Sequence, residues 1–253
     1  MISLAVIAFI VGVLIGTVGI GGILLIPAIS AFTGMETRQA MATALFSFIF
    51  TALLGTWMYA RRGSIDWKVA LPVCLGALVF GYLGALANAY VNPILLNIAL
   101  SLTILFAGTY VLVPPAPSRA RGNVSAPIAR LPLLLGLGAG VGFASGLTGV
   151  GGPVLSVPIM IVLGFSPLTA IATGQLIQVA AAGSGTVGNL LHGAVDFRAA
   201  AWLTVVQLAG LALGVRLAHG FQAQGLRKLV AAVCLLVGGF LFLRSGAALL
   251  SLW

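Results

Sequence analysis

Gly12-x-x-x-Gly16-x-x-Gly19-x-Gly21-Gly22 returns 130 residues later as Gly142-x-x-x-Gly146-x-x-Gly149-x-Gly151-Gly152. The register outlasts the glycines. Ala42-Thr43 falls on Ala172-Thr173, Gly55-Thr56 on Gly185-Thr186, and Gly63-x-x-Asp66 on Gly193-x-x-Asp196. Biased composition repeats residue types, but it does not hold one offset through glycines, threonines and aspartates. The chain reads as a duplicated unit with a glycine-rich interruption near the start of each copy, the sequence outline of a secondary transporter.

Of the 253 residues, 61% are hydrophobic and 6% charged, against roughly 25% charged in a soluble domain. Mean hydropathy is +1.21, and apolar stretches repeatedly reach the roughly 20 residues that a bilayer-spanning helix needs. The fold class expected is therefore an all-α integral membrane protein in a lipid bilayer. The net charge of +9 comes from 12 basic and 3 acidic residues scattered over short connections. With no basic helix or charge run it speaks for orientation in a membrane and weak attraction of anions, not for nucleic acid. Cys74 and Cys234 lie in apolar segments without CxxC spacing, which implies neither a disulfide framework nor a metal site. The stretch 1–31 lacks a basic leader region and is expected to stay as the first membrane segment.

Eight segments are expected: 2–31, 39–60, 67–87, 93–113, 131–163, 167–190, 197–218 and 227–250. They form two tandem four-segment repeats, 1–113 and 131–253, joined by a cytoplasmic linker at 114–130 that contains Pro114-Pro115-Ala116-Pro117-Ser118-Arg119. An even number of spans per repeat predicts parallel repeats. With a cytoplasmic amino terminus, eight cations (Arg61, Arg62, Lys68, Arg119, Arg121, Arg130, Arg198 and Arg244) fall inside. Arg38, Arg216, Arg227 and Lys228 fall outside, so both termini are expected in the cytoplasm. Re-entrant segments 1 and 5 would reduce the count to six.

Segments 1 and 5 run to about 30 residues, roughly 45 Å as straight helix against a hydrocarbon core near 30 Å. Each is broken in its middle, by Gly19, Gly21 and Gly22 or by Gly149, Gly151 and Gly152, and Pro153 suits the first turn of a new helix. A helix start at membrane depth offers free N–H groups and a positive dipole end, which suits an anion. Gly12, Gly16, Gly142 and Gly146 are read instead as close-packing faces.

The second segment of each half adds polarity at depth: Thr43, Ser47, Thr51 and Thr56 in one, Thr173, Gln175, Gln178, Ser184 and Thr186 in the other. From these, Thr43, Ser47, Thr173, Gln175 and Gln178, with Gln207 of segment 7, are the candidate ligands. A buried amide must be satisfied, so glutamine in lipid is costly and marks function. Asp66 and Asp196 stand at the entrances of segments 3 and 7, with His192 beside the second. They read as helix caps or as a gate or proton relay. No carboxylate stands at the centre of a span, which disfavours a cation carrier. Catalytic constellations, nucleotide loops and cofactor motifs do not appear either, so an enzyme is not expected.

The paired glycine signatures, each followed by a small-residue helix containing Ala42-Thr43 or Ala172-Thr173-Gly174, resemble the sulfite exporter TauE/SafE family of small membrane permeases. The resemblance covers nearly the whole chain. It implies a bacterial inner-membrane carrier for sulfur-containing anions such as sulfite or organosulfonates like sulfoacetate, working by alternating access between the repeats. Protons are the candidate coupling ion, though a uniporter or exchanger stays open, as does a homo-oligomer. A passive anion channel and a non-transporting interaction subunit are the alternatives. Half one has Ile23 where half two has Pro153 and lacks the Gln175/Gln178 pair, so the halves are not chemically interchangeable.

Overall fold

The computed structural model describes residues 2–19, 22–112, 131–163, 165–191, 195–218 and 224–250; the expected linker at 114–130 lies outside them. They form α1 (Ile2–Val18), a 3₁₀ turn (Gly22–Leu24), α2 (Leu25–Thr33), α3 (Thr37–Ala60), α4 (Trp67–Tyr90) and α5 (Pro93–Leu112). After the linker come α6 (Leu131–Thr148), α7 (Pro153–Val162), α8 (Pro167–Leu190), α9 (Phe197–Ala218) and α10 (Gln224–Leu250). Helix starts follow local chemistry. Asp66 accepts from the Lys68 N–H at 3.1 Å, Asp196 from the Ala199 N–H at 3.0 Å, and Ser166 from the Thr169 N–H at 3.2 Å ahead of Pro167.

Eight spans in two four-segment repeats is not the architecture. Among the described residues five helices are long and apolar enough to cross a membrane: α3, α4, α5, α6 and α9. Helix α8 has 24 residues, as many as α3, but its glutamines, serine, threonines and asparagine dilute the apolar length on which a span is judged. The stretches expected as segments 1 and 5 are each two helices, and the chain doubles back between them. Tyr59, near the end of α3, donates its hydroxyl to the Gly16 carbonyl at 2.6 Å, so α1 ends level with the end of α3. Helix α2 must then return to the level where α3 begins. In the same way α7 runs antiparallel to α8, with Gly152 against Gln178 and Ser156 against Gly174, back to the level where α8 starts.

The expectation of parallel repeats is also overturned. Gly55 faces Gln175 and Leu45 faces Gly185, so the equivalent helices α3 and α8 run in opposite directions. Helix α1 runs parallel to α9, Gly12 abutting the backbone of Gln207 and Gly16 that of Leu211. Helix α6 runs parallel to α4, Gly142 abutting Ala77 and Gly146 abutting Gly81. These are equivalent contacts in the 130-residue register, and all of them join one half to the other. A hairpin plus an odd number of long helices turns the second half over relative to the first. Counting the long segments 1 and 5 as full crossings is what made the number even.

Contacts through glycine explain the close crossings. At Gly16 a Cβ would come 2.7 Å from both the Leu211 carbonyl oxygen and the Val215 nitrogen, and at Gly142 it would come 2.6 Å from Ala77 Cα. Lipid tails are as apolar as leucine, so membrane helices gain little from hiding apolar surface; van der Waals contact at short range supplies the attraction. The first and fifth positions of the signature are thus packing faces, as expected. Around them Phe48, Leu45, Ile15, Ile23 and Val154 form a buried core, while Leu71, Leu75, Val79 and Val205 point outward as a lipid-facing surface would require.

Candidate functional site

The glycine breaks begin toward opposite ends of α3 and converge near its middle. Helix α1 stops at Gly19, whose N–H reaches Leu14 and Ile15 carbonyls, each at 3.2 Å; α6 stops at Gly149, whose N–H reaches the Ser145 carbonyl at 2.8 Å. Both caps are left-handed, with φ of 78° and 68°, a conformation that costs an L-residue roughly 1–2 kcal/mol. Space forbids a side chain as well at Gly149 and is tight at Gly19. A Cβ on Gly149 would lie 2.7 Å from the Met41 carbonyl oxygen, and one on Gly19 would lie 3.2 Å from Val157. Each break therefore leans on the opposite half.

Past the caps the two breaks converge. Gly22 abuts the Phe48 ring and Gly152 abuts Gln178, and these contacts are equivalent in the repeat register. Gly151 bridges them: its Cβ position lies 3.2 Å from Gln178 Nε2 and 3.5 Å from Phe48. Gly21 lies outside the described residues. Gln178 sits midway along α8, so the start of α7 at Pro153 points its unspent N–H groups into the interior at the same depth. Gly19 closes the other side against Pro153 and Ile171.

The structure divides the polar candidates. Thr43 Oγ1 accepts from the Asp196 N–H at 3.1 Å, tying the start of α3 to the start of α9. Its repeat partner Thr173 is equally buried, and its hydroxyl has no hydrogen-bond partner. Ser47 donates to the Ala44 carbonyl at 2.7 Å and accepts from Gln207 Nε2 at 3.3 Å, which joins α3 to α9. Gln175 Nε2 donates to the Ile15 carbonyl at 3.3 Å, next to the end of α1. Both glutamine orientations are fixed by these donors, and the carbonyl oxygens of Gln175 and Gln207 are buried without a partner. Gln175, Ser47 and Gln207 thus serve the α1, α3 and α9 crossings, whereas Gln178 and Gly151 stand together at the convergence.

Asp66 and Asp196 are helix caps and lie at opposite ends of the molecule, one at the start of α4 beside the end of α3, the other beside the start of α3. His192 lies outside the described residues. Among the described residues no group of three or more His, Cys, Asp or Glu gathers to hold a metal. Two neighbours were missed by sequence reasoning. Phe48 occupies in the first half the place of Gln178 in the second, a mismatch visible in the repeat register. Ser156, on α7 against Gly174, is buried with an unpartnered hydroxyl, and its aligned residue is the apolar Ile26, so no repeat signal marked it.

Thr173, Gln175, Gln207 and Ser156 are 0% exposed. Each carries a buried polar atom without a hydrogen-bond partner, destabilising by about 1–3 kcal/mol if nothing fills its need. Unspent polarity of that kind marks a place built for something other than packing.

The profile of the family described as sulfite exporter TauE/SafE matches residues 4–241. A probable membrane transporter protein of Methanocaldococcus jannaschii, MJ0441, is 25% identical over 259 residues, covering 95% of this chain and 94% of its own. YdhB of Bacillus subtilis, described in the same words, is 25% identical over 213 residues, covering 82% and 86%. ORF9 of a Sinorhizobium species, likewise described, is 27% identical over 229 residues, covering 89% and 86%. No solved structure matches the chain.

Proposed function

The chain belongs to the sulfite exporter TauE/SafE family, and from that premise we propose that it carries a small sulfur-containing anion, sulfite or an organosulfonate such as sulfoacetate, out of the cell. It is a multi-pass membrane transporter, and its relatives are described as transporters, not enzymes. The observation that carries the finer reading is the start of α7 at mid-depth beside the Gln178 amide. Sulfite and sulfonate oxygens accept hydrogen bonds and donate none, so they need donors. Free N–H groups of a helix start, the Gln178 Nε2 and the unspent Thr173 hydroxyl are donors in a setting without a buried carboxylate to repel the charge. Gly19, Gly22, Gly149 and Gly152 keep the backbone close enough to a ligand to serve as its wall, and Gly21 and Gly151 complete the two breaks. The reading has the two hairpins exposing this site to one side and then the other, with protons as the coupling ion.

Orientation follows from the turned-over halves. Arg61, Arg62, Lys68 and Arg216 lie at the end where α3 and α9 finish, and Arg227 and Lys228 begin α10 there. Among the described residues six of the nine cations therefore share one face, leaving Arg38, Arg198 and Arg244 on the other. The positive-inside rule makes the rich face cytoplasmic in a bacterial inner membrane, which puts both chain termini outside. On this reading the termini lie on the side opposite to the one expected from sequence.

Purified protein in liposomes loaded with radiolabelled sulfite, sulfoacetate or taurine, with and without a proton gradient, tests the substrate class. Gly151→Val is expected to abolish flux, since φ of 89° excludes a β-branched residue and the side chain fills the ligand's place. Failure to move any sulfur anion under either condition would sink the proposal.

A further inference from the structure

A cavity of about 910 Å³ lies away from the glycine breaks, between the first hairpin and the α5–α10 pair. That volume is in the range of sites that engulf a whole small ligand, roughly 300–1,000 Å³. Its walls are apolar, with Ile10 and Leu14 from α1 and Phe240 from α10, and its rim is charged, with Glu36 from the α2–α3 connection and Arg244 from α10. The Ser30 hydroxyl on its α2 wall is shielded and has no hydrogen-bond partner.

The rim charges are uncommitted. The chain has three acidic residues; Asp66 and Asp196 are spent as helix caps, while Glu36 precedes α3 without capping it. Glu36 and Arg244 line one cavity, yet among the described residues no ion pair joins them. An apolar chamber at the end of membrane helices, with one carboxylate and one guanidinium at its mouth, complements an amphiphile that bears one cation and one anion on its head. Helix α10 packs on α5, and the cavity separates this pair from the hairpin that carries the first break.

We propose that this cavity is a binding site for a zwitterionic membrane lipid of the phosphatidylethanolamine type. Its acyl chain fills the space between α1, α2 and α10, its phosphate meets the Arg244 fork, and its ammonium donates to Glu36. A purely anionic head such as phosphatidylglycerol would satisfy Arg244 but set its phosphate near the Glu36 carboxylate with no compensating donor. The lipid then braces the hairpin against the α5–α10 pair, and this holds whatever anion is carried.

Native mass spectrometry on delipidated full-length protein reads this directly. Phosphatidylethanolamine and phosphatidylglycerol with identical acyl chains are added in equal amounts to the parent, Glu36→Gln and Arg244→Gln, with the melting temperature of each recorded. Both side chains are exposed, so the variants are expected to melt as the parent does. The parent is expected to retain the ethanolamine lipid at least ten-fold over the glycerol lipid. Glu36→Gln should bring that preference close to one, and Arg244→Gln should lower retention of both. Equal retention of the two lipids by the parent, or a preference that survives Glu36→Gln, overturns the proposal.

Discussion

Thr43 and Thr173 are the same residue twice, and the structure gives them opposite energetic signs. The Thr43 hydroxyl accepts the Asp196 N–H at 3.1 Å. Replacing it with valine keeps shape but leaves that N–H without its partner, a loss of about 1–2 kcal/mol. The Thr173 hydroxyl is buried and bonded to nothing, so Thr173→Val removes a desolvated polar group and is expected to stabilise by about 1 kcal/mol. For a chain of this size each kcal/mol moves the melting temperature by about 2–4 °C. In detergent, Thr43→Val should melt lower than the parent and Thr173→Val higher. Binding should move the other way. A hydrogen bond to a charged ligand is worth about 1.5–3 kcal/mol, so Thr173→Val is expected to weaken sulfite or sulfoacetate affinity by about ten- to a hundred-fold in calorimetry. If Thr173→Val melts lower, its hydroxyl is structural; if it melts higher and binds as tightly as the parent, the ligand site excludes it. Either result refutes the reasoning.

Gln178→Leu preserves volume beside Gly151 and Gly152 and is expected to leave folded yield unchanged while transport in liposomes falls at least ten-fold. Gly149→Ala forces a side chain into the left-handed region and against the Met41 backbone. It should cost about 2–4 kcal/mol, seen as loss of monodisperse protein on size exclusion, whereas Gly183→Ala, facing open space, should gain up to about 1 kcal/mol from helix propensity. A carboxy-terminal reporter that is active only outside the cytoplasm should be active, and one that fluoresces only inside should be dark. The reverse pattern would overturn the orientation read from the cation-rich face.

The glycine register showed where the chain breaks, and the small-residue faces at Gly12, Gly16, Gly142 and Gly146 showed where it packs. Direction did not show. A hydropathy pattern reports how long an apolar stretch is, and a 30-residue stretch with a glycine break is equally apolar whether the chain continues or turns back. The turn depends on Gly19 and Gly149 adopting left-handed caps against the opposite half, which is a tertiary fact. From that one miss came the wrong span count and the parallel repeats. Polar residues were legible as a set but not by role. Thr43 and Thr173 are identical in sequence, and only the position of the Asp196 N–H separates a structural hydroxyl from an unspent one.

Phe48 and Gln178 hold equivalent places on oppositely running helices, so the two halves bring different chemistry to the convergence. A benzene ring at a constriction sheds water, and a short dry gap in a pore is enough to stop ions. An amide at the matching place keeps water within reach. Were transport to open a path through this convergence, the ring of the first half would be the surface that sheds water and the amide of the second the surface that holds it. That contrast in affinity for water is built into one non-matching pair of residues in an otherwise repeated framework.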